Sequence, residues 1–176
     1  MSTKQFVGFI GSRNLGEVPP EGLRIYKHAA AACVSRGYVL STGAAKGADQ
    51  LAAEICLQSG GLVQLYLPWA SYESQWVQSM MAKYPGQIRA SSRLSQEAMD
   101  SIQVHPYANS LKQGARMLMA RNYMIIERCK SVIAIPRPPE EGGTAQGIRL
   151  CRQMNIPVYN LAIAEGRDKF SALLYK

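Results

Sequence analysis

The chain has 176 residues, 47% of them hydrophobic, a formal net charge of +8 and a pI near 9.5. That length supports one domain with its own core, residues 1–176, and needs no disulfide or metal staple. No stretch approaches the roughly 18 apolar residues of a membrane span and no apolar leader opens the chain, so a cytoplasmic protein without a membrane partner is expected.

Arginine outnumbers lysine twelve to eight. Arginine is the better phosphate binder, so the charge points to anionic partners: nucleotides, nucleic acid or acidic surfaces. The four cysteines, Cys33, Cys56, Cys129 and Cys151, form no CxxC pair and sit in apolar helical patterns. With His28 and His105 as the only histidines, they read as core thiols; neither a metal nor a cofactor is expected.

In chain order, Gln5-Phe6-Val7-Gly8-Phe9-Ile10 reads as a short apolar strand that runs into Gly11-Ser12-Arg13-Asn14. A helix is expected over 21–35, with Leu23, Tyr26, Ala30 and Cys33 on one face, stopped by Gly37. Residues 38–41 form a second strand. It opens into Thr42-Gly43-Ala44-Ala45-Lys46-Gly47-Ala48-Asp49, and a helix follows over 48–58. Residues 62–67 form a third strand, closed by Pro68. Strand and helix alternate at the spacing of a parallel sheet.

Residues 69–110 break that rhythm. Tyr72, Trp76, Met80 and Met81 recur at near-helical spacing until Pro85-Gly86, and the polar stretch beyond holds a short strand near 88–90 and a short helix after Ser95. This segment is expected to be a helical insertion lying over the strand ends. The longest helical pattern follows at 111–129, then a fourth strand at 131–135, a loop, a helix at 144–154, a fifth strand at 157–161 and a tail helix at 165–176. The expected architecture is an α/β, Rossmann-like three-layer fold with a five-stranded parallel sheet in the order 3-2-1-4-5.

Three glycine-bearing loops leave strands and enter helices: Gly11-Ser12-Arg13, Thr42 to Asp49, and Glu141-Gly142-Gly143-Thr144. Helix N-termini present free amides and a positive dipole end, and in open parallel sheets ligands bind outside the carboxyl ends of the strands. The loops match neither the GxGxxG fingerprint nor a Walker loop. The expected ligand contacts are Gly11, Ser12, Arg13, Thr42, Gly43, Lys46, Asp49, Arg121, Asn122, Gly142, Gly143 and Thr144. Of these, Ser12, Arg13, Gly43, Gly143 and Thr144 are assigned to phosphate, and Arg121 and Asn122 to ribose or a second phosphate. Asp49 suits a ribose hydroxyl or a helix N-terminal carboxylate. Trp69, Tyr72 and Trp76 suit base stacking or the core.

These motifs resemble the SLOG superfamily of Rossmann-like nucleotide-binding domains. The resemblance is carried by Phe9-Ile10-Gly11-Ser12-Arg13, by Leu40 to Asp49, and by Gly142-Gly143-Thr144-Ala145-Gln146. It spans roughly residues 7–161, with the middle insertion unmatched, and is nearest the DprA-like and YspA-like side. It implies a pocket for a phosphorylated nucleoside or nucleotide derivative, bound for sensing or sequestration, and a homodimer.

The same resemblance implies two alternatives. One is the N-glycosidic phosphoribohydrolase activity of the LOG branch. Arg121 matches that branch's helix arginine and Asn122 stands in place of its lysine; Arg121 and Glu141 would be the catalytic candidates. Gln146 stands where LOG enzymes carry a glutamate, and a glutamine can neither act as a general base nor stabilise an oxocarbenium-like centre. The other alternative is DprA-like binding of single-stranded nucleic acid, which suits the positive charge.

Overall fold

The computed structural model describes residues 4–174. The elements run β1 (Phe6–Gly11), α1 (Pro20–Ser35), β2 (Val39–Thr42), α2 (Ala48–Gln58), β3 (Leu62–Tyr66), α3 (Ser74–Lys83), β4 (Ile88–Ser91), α4 (Gln96–Asp100), α5 (Gln113–Ile126), β5 (Cys129–Ile135), α6 (Gly142–Gln153), β6 (Val158–Asn160) and α7 (Ala164–Leu174). The tail-helix expectation reached Tyr175 and Lys176, which lie outside the described residues.

The sheet has six strands, all parallel, in the order β4-β3-β2-β1-β5-β6. The expected order is present in the five strands β3-β2-β1-β5-β6. The correction is the sixth. Ile88–Ser91 pairs with β3 along Val63↔Ile88 to Tyr66↔Ser91 and so extends the sheet edge. Its sequence hides this. Only Ile88 of the strand is buried, because an edge strand has one neighbour and shows most of its side chains to water.

Alternation along the central strands makes the layers. Val7 and Phe9 of β1, with Ile133 and Ile135 of β5, face a core built with Tyr26, Ala30 and Cys33 of α1, Ala52 and Cys56 of α2, and Phe170 of α7. Ile10, Val132 and Ala134 face the other side, against Ile125 and Ile126 of α5 and Ile148 and Cys151 of α6. Successive strand residues point to opposite faces, so a strand buried on both sides is apolar throughout. All four cysteines are buried and free. After β4, the chain packs Ala98, Ile102 and Ala108 against Ala120 of α5. No helix among the described residues is long and apolar enough to cross a membrane.

Candidate functional site

All strands are parallel, so the loops after β1, β2 and β5 leave one end of the sheet, and α5, packed on one face, presents Leu118, Met119, Arg121 and Asn122 there. Between them is a cavity of about 410 Å³. Its wall includes Gly11, Ser12, Arg13, Asp49, Arg121, Asn122, Glu141, Gly142, Gly143 and Thr144. Nine of the twelve expected ligand contacts therefore meet there, together with both catalytic candidates. Thr42, Gly43 and Lys46 are not on that wall.

The first loop uses its polar groups on itself. Ser12 N–H donates to the Ile135 carbonyl at 3.0 Å, tying the loop to β5. The Ser12 hydroxyl donates to the Asn14 carbonyl at 3.0 Å and accepts the Asn14 N–H at 3.1 Å. It shapes a turn and has no proton left for a phosphate oxygen. Arg13 keeps its charge at the cavity, with Nη2 donating to the Tyr72 hydroxyl at 3.2 Å.

The second loop lies beneath the wall. The Thr42 hydroxyl donates to the Phe9 carbonyl at 2.7 Å in a fully buried position. Gly43 leaves room for a guanidinium: a Cβ there would lie 1.7 Å from Arg121 Nη1 and 2.5 Å from Asp49 Oδ2. Its role is to admit Arg121. Lys46 is exposed.

Arg121 and Asp49 are 6% and 5% exposed, with Nη1 and Oδ2 3.6 Å apart. Burial pushes the Asp49 carboxyl above its ordinary value, opposed chiefly by the charge of Arg121 and also by the nearby Ala45 backbone and the charge of Arg13. The pair is too long for a good hydrogen bond. Nε and Nη1 of Arg121 are buried without a hydrogen-bond partner. The Tyr72 ring lies 6.0 Å from the guanidinium carbon. Arg121 lines the cavity with a buried charge that is under-satisfied and only loosely paired with Asp49, and an anion in the cavity would balance it.

The third loop is open. Gly142 holds φ at +74°, which brings the chain into α6, and no side chain caps that helix. Gly142, Gly143 and Thr144 therefore offer N-terminal amides at the cavity. On the facing helix, Asn122 Nδ2 donates to the Gly143 carbonyl and to Gln146 Oε1, both at 3.0 Å. Gln146 is fully buried behind this contact and off the cavity wall.

Sequence reasoning missed Arg137, Asn14, Glu17, Leu118 and Met119, which also line the cavity. Arg137 Nη1 donates to Glu17 Oε2 at 3.1 Å, across the mouth. The i, i+3, i+4 spacing of Leu118, Arg121 and Asn122 carries the signal for the α5 face. Nothing local marks Arg137, which follows the strand in a proline-rich loop. Trp69 and Trp76 pack against the main core, with Trp76 Nε1 donating to Glu54 at 2.8 Å, so neither offers a base platform on this wall. His105 is also off it.

Among solved structures, the chain is similar to DNA processing protein A (DprA) of Streptococcus pneumoniae, at 16% identity and a TM-score of 0.61, over 96% of this chain and 56% of that one. DprA of Helicobacter pylori, which binds single-stranded DNA, is 20% identical with a TM-score of 0.60, over 89% and 64%. The molybdenum cofactor carrier protein of Chlamydomonas reinhardtii is 16% identical with a TM-score of 0.58, over 97% and 85%. The chain shares the Rossmann-like fold of these proteins. No protein-family model and no curated protein matches it. The chain spans 56% and 64% of the length of the two DprA proteins, and the fold of that part is what they share with it.

Proposed function

We propose that this protein binds a phosphorylated nucleoside or nucleotide derivative in the cavity at the carboxyl ends of β1 and β5, to sense or sequester it. The observation that carries this reading is Arg121: a guanidinium more than nine-tenths buried, with Nε and Nη1 unpartnered, on the same wall as the uncapped start of α6. The phosphate is assigned to the amides of Gly142, Gly143 and Thr144 and to Arg121, with Arg13 and Arg137 at the mouth. The cavity has the size of an ordinary small-ligand site.

The hydrolase alternative has less support. The amide of Gln146 faces Asn122 rather than the cavity, and the one acid of the third loop on the wall is Glu141, exposed and on a loop. Single-stranded nucleic acid is the second reading. It is favoured by the likeness to the H. pylori protein, by the +8 charge and by Arg13 and Arg137 standing at the rim.

A thermal-shift panel of nucleoside monophosphates and oligonucleotides tests the choice, because a ligand that binds only the native state raises its melting temperature. A rise with mononucleotides, lost in Arg121→Met, is expected. Oligonucleotide binding that weakens steeply with salt, with no response to mononucleotides, would replace the first reading by the second. Release of free base at turnover rates would establish the hydrolase.

A further inference from the structure

Asn122 lies in the middle of α5, where asparagine is a poor helix former, and its amide is fixed by two acceptors. The Gly143 carbonyl can only accept, so the group facing it at 3.0 Å is the NH2. That NH2 also meets Gln146 Oε1 at 3.0 Å. The opposite amide orientation would set two oxygens against one another at Gly143. Both hydrogens of Nδ2 are therefore used. The remaining polar atom, Oδ1, has no protein partner among the described residues and is not sealed from the cavity.

The wall thus changes character between adjacent residues. Arg121 offers only donors and Asn122 only an acceptor. An ionised phosphate oxygen is itself an acceptor and is repelled by Oδ1, so the assignment of Asn122 to a second phosphate fails on the geometry. Gln146 acts at one remove. Its buried Nε2 has no partner, a cost of its burial, while Oε1 holds the Asn122 amide in this orientation.

We propose that Asn122 Oδ1 reads a hydrogen-bond donor carried next to the ligand's phosphate, a hydroxyl or an N–H, and so makes the cavity select donor-bearing phosphate esters. Gln146 is the positioning residue for that selection. The proposal rests on the reading of the cavity as a phosphate-ester site and adds which group beside the phosphate is recognised.

The test is calorimetric titration of the full chain with AMP and GMP, their 2′,3′-dideoxy forms and their forms lacking the exocyclic amine. Wild type is expected to favour a parent nucleotide over one donor-deleted form by about 3- to 10-fold, the worth of one net hydrogen bond. Loss with the dideoxy form places the donor on the sugar; loss with the desamino form places it on the base. The preference is expected to vanish in Asn122→Ala and to shrink in Gln146→Leu, while Gln146→Glu, whose carboxylate still accepts from Asn122, keeps it. Equal binding of parent and donor-deleted nucleotides by wild type overturns the proposal and leaves the phosphate cavity standing. So does a preference that persists in Asn122→Ala. If that variant does not fold, the wild-type panel and Gln146→Leu decide. Failure of every phosphate ester to bind removes both the cavity reading and this one.

Discussion

The second and third glycine loops make the same promise in sequence and keep it differently. Each leaves a parallel strand at its carboxyl end and enters a helix with glycine in the turn. In the second, the Ala48 N–H donates to the Ser12 carbonyl at 3.0 Å, and Gly47, at φ +89°, lies so close that a Cβ would be 2.5 Å from the Ser12 and Arg13 carbonyls. The Asp49 carboxylate faces the Arg121 guanidinium, so this loop carries its own anion. In the third, no side chain caps α6, and a Cβ on Gly142 would meet nothing within 4 Å. A glycine loop before a helix is an anion site only where its amides have no acceptor at home.

The largest expected break in that comparison is at Gly43. In Gly43→Val, the new side chain occupies the space of the Arg121 guanidinium, which must leave Asp49 behind in the protein interior. Stranding one partner of a buried ion pair costs about 3–5 kcal/mol, read as a lower denaturant midpoint in urea unfolding. Arg121→Met comes next, now on binding. Losing charge-assisted hydrogen bonds to phosphate should weaken AMP binding by about 10- to 100-fold in calorimetry. An unchanged affinity would move the phosphate away from α5.

Asp49 gives the second loop a pH signature. Its carboxyl titrates higher in the folded protein than in the unfolded chain. Below the ordinary carboxylate range both states hold the proton and its contribution to stability is fully present. As pH rises, the unfolded chain ionises first, so stability falls by up to about 1.4 kcal/mol per pH unit until the folded carboxyl also ionises. Urea unfolding from pH 3.5 upward should show this slope in wild type and lose it in Asp49→Asn. The same variant removes the built-in anion beside Arg121 and should tighten AMP binding. A smaller effect belongs to Gly142→Ala. Space is open there, but the left-handed φ costs an alanine about 1–2 kcal/mol, again read in urea.

The central strands β1, β2 and β5 were legible because they are buried on both faces and therefore read as apolar runs between glycine turns. The edge strand Ile88–Ser91 was not, since exposure dilutes its pattern. At the site, the α5 face was legible through Arg121 and Asn122, polar residues in an apolar helical run. What sequence does not encode locally is partnership. Thr42, Ser12 and Asn122 all carry groups suited to a ligand, yet the Thr42 hydroxyl is spent on Phe9, the Ser12 hydroxyl on its own turn, and the Asn122 amide hydrogens on Gly143 and Gln146. Those partners lie on other elements or depend on turn geometry. Arg137 was missed for the converse reason: only the folded mouth, where it meets Glu17, makes it part of the site.

The smallest expected effect is also the sharpest check on the two-loop comparison. Lys46 is the one lysine in any of the three loops, and on charge alone it would be chosen as a phosphate ligand. It is exposed and off the cavity wall, in the loop whose anion need is met internally by Asp49. Lys46→Ala should therefore change stability by less than about 0.5 kcal/mol, as surface substitutions do, and leave AMP affinity within about twofold at physiological salt, where a distant charge is screened. A tenfold loss would mean that the second loop opens to receive a ligand, that Asp49 gives way to it, and that the contrast between the loops belongs to the unliganded protein alone.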